Sequence, residues 1–272
     1  MRENVFLRYG FSLLIALPIG FLLLFPQLIH CFRIQSSDQF RMLTGAPNVY
    51  IHQTATNQQV NQFSQHLLAA RQRIQRFWGD RRGQAILIYC PYQADYEQYC
   101  AGGEGAGCSL GMPWGTSYLI LGPDGNNTDV IAHELCHDEL FARLGWWRVK
   151  QQIPQWFNEG LALMVDYRFS NPSVWETPDS SSHDRSVWVE TGPMHYPPSP
   201  MLKLSELETT REFFGNNATH TMLAYQTAAD EVARWLLIAG HKSVPILTHE
   251  IADGDDFGDA YRQLERAKRE KK

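Results

Sequence analysis

The sequence predicts an α+β fold, in which a small mixed sheet precedes one long helix and a mostly helical second half. Two observations indicate this class. Short apolar runs of the kind that form strands lie at 49–51, 85–89 and 117–121. From residue 128 onward, apolar residues recur with helical spacing instead. The chain has 272 residues, of which 44% are hydrophobic, so it is long enough for one substantial domain with a sizeable core.

The first 33 residues differ in composition from the rest. Residues 9–25 contain no charged side chain, and with 26–29 the stretch reaches about the 20 residues that span a bilayer. Arg2 and Arg8 precede it, which favours a cytoplasmic N-terminus. We therefore expect 1–33 to be an N-terminal signal anchor with one transmembrane helix, which places the protein in the cell membrane as a single-pass protein with the folded domain that follows on the extracytoplasmic side. A cleaved signal peptide and a buried helix are the alternatives, although no small-x-small cleavage motif follows the stretch.

A polar linker is expected at 34–48, and the folded domain at 49–268. The first helix of this domain is predicted to follow Thr56, a favoured N-cap residue, and to end at Trp78 before Gly79. A group of arginines at the end of this helix and just beyond it is interpreted as a solvated helix face. These arginines are Arg71, Arg73, Arg76, Arg81 and Arg82.

Two loops stand out. Cys100 and Cys108 flank a glycine-rich stretch, and in an exported domain they form a plausible disulfide. Residues 168–201 contain several prolines and predict a long loop of the functional or mobile kind. Aromatic and histidine side chains in that loop either line the rim of a cleft or attach the loop to the core; they are Trp175, Trp188, His195 and Tyr196. Further helices are predicted at 221–239, 244–251 and 257–267.

The long helix that begins near residue 128 carries the sequence His-Glu-Leu-Cys-His at 133–137. Residues four apart in an α-helix differ by about 40° in azimuth and about 6 Å in height. His133 and His137 therefore lie one above the other, at a spacing that suits two imidazole ligands of one Zn²⁺. Glu134 is adjacent, and we expect it to be the general base.

A catalytic zinc usually has three protein ligands and a water. Glu159, which begins an apolar helical run, is the leading candidate for the third ligand. Asp166 either orients one of the ligating histidines or is an ordinary surface carboxylate. Cys136 lies beside His137, but a buried free cysteine usually behaves as a small core residue.

The motif His133-Glu134-x-x-His137, followed by Trp-Phe-Asn-Glu-Gly-Leu-Ala at 156–162, resembles the gluzincin zinc metallopeptidases, in particular the bacterial peptidase MA-like domains and more distantly aminopeptidase N. The resemblance implies a gluzincin (thermolysin-like) catalytic domain with Glu159 as the third zinc ligand. The spacer between the two motifs is longer than in the aminopeptidases, which we interpret as a longer loop at 144–153. The aminopeptidase motif Gly-x-Met-x-Asn is absent, so the resemblance does not extend to exopeptidase specificity.

The resemblance implies two further roles. The strand at 117–121, just before the zinc helix, matches the edge strand that binds extended peptide in gluzincins; an ordinary covered edge is the alternative. The segment Ala-Tyr-Gln-Thr-Ala at 224–228 resembles the one that provides a tyrosine to stabilise the oxyanion. Tyr225 is therefore the leading catalytic donor, with a locally satisfied core tyrosine as the alternative reading. Weaker candidates for the donor are His195, Tyr196 and His220.

The sequence thus predicts a membrane-anchored zinc metallopeptidase that hydrolyses peptide bonds in peptide or protein substrates. The alternatives are a zinc hydrolase that acts on a non-peptide bond, and a membrane-tethered, non-catalytic binding module with a gluzincin fold. The net charge of −5 gives no reason to expect nucleic-acid binding.

Overall fold

The computed structural model describes residues 26–100, 105–176, 202–215 and 217–270. In this part of the chain the strands are β1 Phe40–Met42, β2 Val49–His52, β3 Ile86–Tyr89, β4 Gly107–Gly111 and β5 Ser117–Leu121. The helices are α1 Pro26–Phe32, α2 Asn57–Trp78, α3 Gln93–Tyr99, α4 Thr128–Gln152, α5 Gln155–Met164, α6 Thr210–Phe214, α7 Ala218–Ala239, α8 Ser243–Asp253 and α9 Phe257–Arg269.

The sheet is small and mixed, which confirms this part of the predicted fold. Its strand order is β1-β2-β3-β5-β4, with β2, β3 and β5 parallel to one another and both outer strands antiparallel to their neighbours. Because β5 pairs on both sides, the prediction that 117–121 is the edge strand is wrong. The edge on that side is β4, which begins at Gly107, at the end of the glycine-rich stretch between Cys100 and Cys108.

The strands alternate their side chains between two apolar layers, as the two-residue period of a strand requires. On one face, Leu87, Leu119 and Leu121 belong to the main core, which α2, α4 and the second-half helices complete. On the other face, Ile88 and Ile120 form a smaller cluster with α1 and α3. The long helix α4 is therefore held against the sheet by the larger of the two cores.

The predicted transmembrane helix requires correction. Residues 1–25 lie outside the described residues. Residues 26–29, which we expected to complete a membrane span, belong to the short helix α1, Pro26–Phe32, whose Leu28 and Cys31 are buried in the smaller cluster. Within the residues that the structure describes, none of the helices has the length and apolar character needed to cross a membrane. The predicted transmembrane helix and the single-pass membrane location are therefore not upheld.

Two other segments differ from expectation. Residues 34–48, expected to be a linker, contain β1 and bury Ile34 and Phe40, because these apolar side chains can cover the outer face of the sheet. The loop expected at 144–153 is instead mostly helical: α4 is interrupted at Gly145 (φ 76°, ψ 157°), and a second helical segment follows as far as Gln152. Glycine adopts this conformation without the steric cost that other residues incur.

The helix α2 begins and ends as predicted. Thr56 and Gln59 form a reciprocal capping box at its start, and Gly79, with φ 84°, ends it. Arg73 departs from the expected solvated face: it is buried, donates to Asp129 at 2.5 Å and to the carbonyl of Val165 at 2.7 Å. This arginine therefore connects α2 to the first turn of α4 and to the end of α5.

The disulfide expected between Cys100 and Cys108 is present, with their Cα atoms 6.3 Å apart. It joins the end of α3 to the edge strand β4. Residues 101–104 of the enclosed loop lie outside the described residues.

The helices α5 and α7 pack closely, and Gly160 sits where they meet. A Cβ atom at this position would lie 2.6 Å from the carbonyl oxygen of Ala228 and 2.6 Å from a methyl carbon of Val232. The absence of a side chain at Gly160 therefore lets the backbone of α7 approach the helix that carries Glu159.

We expect Gly160→Ala to lower the free energy of unfolding by about 1–3 kcal/mol, because the added methyl group meets backbone that cannot move aside cheaply. Urea denaturation measures this change. A matched control is Gly258→Ala in α9, where a Cβ would approach only the ends of the Asp256 and Arg262 side chains. Equal stability of Gly160→Ala and the unmodified protein would contradict the tight contact.

Candidate metal centre

The two histidines of the motif lie on the second and third turns of α4. The side chain of Asn127 caps this helix by accepting the N–H of Asp129 at 2.7 Å. The rings of His133 and His137 are 5.0 Å apart between centroids, with planes at 79°. Helical periodicity alone therefore brings both imidazoles to the same side of the helix.

The helix α5 brings Glu159 to these imidazoles. Its Oε2 lies 3.5 Å from Nε2 of His133 and 3.7 Å from Nε2 of His137. One donor atom from each of the three residues lies within 4.8 Å of the others, so they form a cluster that could hold a metal ion. Bonds of about 2.1 Å in a tetrahedral arrangement place donor atoms about 3.4 Å apart, so the observed separations fit such an ion.

Each imidazole has a different outer neighbour. Nδ1 of His137 is 2.9 Å from Oδ1 of Asn158, to which it donates when Nε2 faces the metal position. Nδ1 of His133 is buried without a hydrogen-bond partner, and its nearest charged neighbour is Oδ2 of Asp166 at 3.6 Å. Two imidazole nitrogens are thus turned away from Glu159, one towards an amide and one towards a carboxylate.

Asp166 is fully buried, and Arg168 compensates its charge. The guanidinium donates from Nε to Oδ1 at 2.9 Å and from Nη2 to Oδ2 at 2.6 Å. Such a two-pronged pair fixes the plane of the carboxylate. Asp166 is therefore not the ordinary surface carboxylate that the sequence left open: it is buried beside His133, one of the candidate ligands.

We expect Asp166→Asn to weaken metal binding by about 10–100-fold, because the amide keeps the shape but removes the charge that faces Nδ1 of His133. Competition with a chelator of known affinity measures the effect. Asp255→Asn, the same change at an exposed position outside the cluster, should leave the affinity unaltered. An unchanged affinity in Asp166→Asn would mean that the carboxylate has no influence on the histidine.

The charges of the cluster act on one another. Burial alone would lower the pKa of His133, but the hydrogen bond and the charge of Glu159, with those of Glu134 and Asp166, raise it. Burial lowers the pKa of His137. Burial would raise the pKa of Glu159, yet the two histidines outweigh it and lower this pKa. The third candidate ligand is therefore favoured in its charged form, as metal binding requires.

Glu134 lies beside the cluster without belonging to it. Its side chain is buried, and burial raises its pKa to about 7. A Cβ atom on Gly107 would lie 3.0 Å from Oε1 of Glu134 and 3.1 Å from its Cγ. The edge strand β4 therefore lies directly against this carboxylate, and a side chain at position 107 would be tightly packed against it.

Tyr225 lies on α7, which packs against α5. Its ring contacts those of Phe213 and Phe214, with centroids 5.2 and 6.0 Å away. Burial raises the pKa of the phenol, and the charges of Glu159 and Glu134 raise it further.

The turns of α4 that follow His137 are attached to the connection between α2 and β3. Asp138 accepts the backbone N–H of Ala85 at 2.9 Å. Glu139 accepts those of Arg82 and Gly83 at 2.9 and 2.8 Å. Both carboxylates are buried, so these bonds offset part of the cost of removing them from water.

The remaining sequence candidates are not part of the cluster. Cys136 is a free, buried cysteine of the main core. His220 bonds through Nε2 to the carbonyl of Glu212 at 2.9 Å. Trp175 donates to the carbonyl of Met164 and is buried, so it attaches its segment to the core rather than lining a rim. Trp188, His195 and Tyr196 lie outside the described residues.

Sequence reasoning missed the outer contacts of two candidate ligands, His137 and Glu159. Asn158 was treated only as part of the motif, although its position immediately before Glu159 places it near His137. Gln155 was not singled out either, and its Nε2 donates to Oε1 of Glu159 at 2.8 Å. The signal that could have identified Gln155 is its separation of four residues from the ligand on one helix face.

In comparisons with known proteins, no family model matches the chain and no curated protein matches it.

Proposed function

We propose that the protein is a zinc-dependent metallopeptidase that hydrolyses peptide bonds. The observation that carries this proposal is the convergence of His133, His137 and Glu159 on one position, with the buried carboxylate of Glu134 beside them. Two imidazoles and one carboxylate are a donor set of catalytic zinc sites, in which a fourth position stays open. The resemblance of the two motifs to gluzincins points to the same reaction.

The donor set favours zinc over magnesium or calcium, because those ions prefer oxygen ligands alone. Bound there, zinc would polarise the scissile carbonyl and lower the pKa of a water molecule. His133, His137 and Glu159 would hold it through Nε2, Nε2 and Oε2, the atoms that face one another.

Glu134 acts as the general base in this proposal. It takes one proton from the attacking water as the water oxygen bonds to the carbonyl carbon. It then returns the proton to the amine nitrogen as the C–N bond breaks. Because Glu134 lies beside the metal position and is not one of the ligands, it can accept and return the proton while all three ligands stay bound.

The edge strand β4 positions the substrate. No described strand pairs with its outer side, so its N–H and C=O groups there can extend the sheet by one peptide strand. Gly107 places that edge against Glu134. Tyr225, on the helical side, would donate its hydroxyl to the oxygen of the carbonyl under attack.

The test of the function combines metal analysis with cleavage of a peptide library. We expect the purified protein to contain about one zinc per chain and to cleave peptides in a chelator-sensitive way. Glu159→Gln should lose most of the zinc and the activity, whereas Glu212→Gln, which changes an exposed capping residue, should lose neither.

Two outcomes would overturn the proposal. Stoichiometric zinc with turnover of non-peptide substrates alone would indicate a hydrolase of another bond. Zinc without turnover of any substrate would indicate a binding module.

A further inference from the structure

The third ligand of the cluster has a hydrogen-bond partner of its own. Gln155, one turn before Glu159 on α5, donates from Nε2 to Oε1 of Glu159 at 2.8 Å. The other carboxylate oxygen, Oε2, is the one that faces the two imidazoles. The two oxygens of Glu159 therefore have different partners: Gln155 donates to Oε1, and Oε2 is left to face the imidazoles.

The amide of Gln155 is itself held in one orientation. An amide side chain can present either its NH₂ group or its oxygen to a neighbour. The hydroxyl of Thr210, on α6, donates to Oε1 of Gln155 at 3.2 Å. With the oxygen engaged by this donor, the NH₂ group is the end that faces Glu159.

Backbone hydrogen bonds also join the start of α5 to the segment before α6, without involving the Gln155 side chain. The N–H of Gln155 donates to the carbonyl of Glu208 at 2.8 Å, and the N–H of Trp156 to that of Leu207 at 3.0 Å. These bonds hold the segment that leads into α6 against the start of α5. They do not depend on the Gln155 side chain, so that side chain can be changed while the two segments stay attached.

We propose that Gln155, oriented by Thr210, is a positioning residue that keeps Glu159 a one-oxygen metal ligand. The inference rests on the proposed zinc site and deepens it. Without the amide, Oε1 is free to turn towards the metal position and join Oε2. A carboxylate that binds through both oxygens would add a fifth donor and crowd the position that the attacking water needs.

The test replaces Gln155 by methionine, which keeps the length of the side chain and its helix propensity but cannot donate. Zinc affinity is measured by chelator competition and is expected to fall by about 10–100-fold. Cobalt substitution gives a second readout, because visible absorption weakens when coordination rises from four to five. Gln155→Met should show that weakening, and Gln98→Met, a matched change on α3, should not.

Thr210→Val provides an independent arm, since it removes the hydroxyl while keeping the shape of the side chain. It should weaken zinc binding by a smaller factor and shift the cobalt spectrum in the same direction. If Gln155→Met fails to fold, Thr210→Val decides the question. Unfolding of the metal-free variants checks that both are intact.

Unchanged zinc affinity and an unchanged cobalt spectrum in the folded variants would refute the inference and leave the proposed function standing. Failure of the proposed function has a different signature, because the unmodified protein itself would then bind no zinc or cleave no peptide. The two failures are therefore distinguishable in one set of measurements.

Discussion

Glu134→Gln is expected to lower kcat by at least ~10²-fold, the loss typical of a missing general base. The amide cannot take up the proton of the attacking water. Zinc content should stay near that of the unmodified protein, because Glu134 is not one of the three clustered residues. Steady-state cleavage of a peptide identified from the library, with metal analysis of the same samples, measures both quantities.

The control for this change is Glu212→Gln, which alters an exposed carboxyl group at the start of α6 and should leave kcat unaffected. Near-normal turnover in Glu134→Gln would refute the proposed mechanism. Among the described residues, every other buried carboxylate next to the candidate ligands is bound to a structural partner, so none of them is a ready substitute for the general base. Loss of zinc together with activity would instead mean that Glu134 supports the metal position.

Tyr225→Phe is expected to lower kcat by about 10²-fold, or roughly 3 kcal/mol, if the phenol donates to the developing oxyanion. The ring and its contacts with Phe213 and Phe214 remain, so the free energy of unfolding should change by no more than about 1 kcal/mol. KM and zinc content should stay nearly constant, as for an interaction made in the transition state alone.

The competing donors provide the decisive comparison. Retained turnover in Tyr225→Phe, together with a collapse in His195→Ala or Tyr196→Phe, would place the donor in the loop at 168–201. If all three variants turn over substrate as fast as the unmodified protein, zinc would stabilise the oxyanion without help from any of these side chains.

The sequence was informative where a short-range rule applies. Helical periodicity places His133 above His137. The second motif supplies Glu159 at a separation along the chain that allows a following helix to fold back against the first. The structure brings these three side chains together. The capped ends of α2 were equally predictable, because the residues that determine them lie within a few positions of each other.

Sequence reasoning failed where the outcome depends on long-range packing. The edge position of β4 follows from pairing with β5, which no local pattern in a glycine-rich stretch reveals. The N-terminal apolar residues were assigned to a membrane because their hydrophobicity was visible, while the sheet face that buries Leu28 and Cys31 was not. The contact between Thr210 and Gln155 joins residues far apart in the chain and has no sequence signature.

The attachment of α4 on both sides of its histidines has a consequence for how the centre would assemble. Asp129 is tied to Arg73 before them, and Asp138 and Glu139 are tied to backbone amides after them. Rotation and sliding of the helix are thus restricted by contacts that involve no metal. The conformational entropy of the ligands is lost during folding of the chain, not when an ion arrives. Chelation should therefore empty the centre without melting the protein, unlike the small zinc domains whose folding depends on the ion.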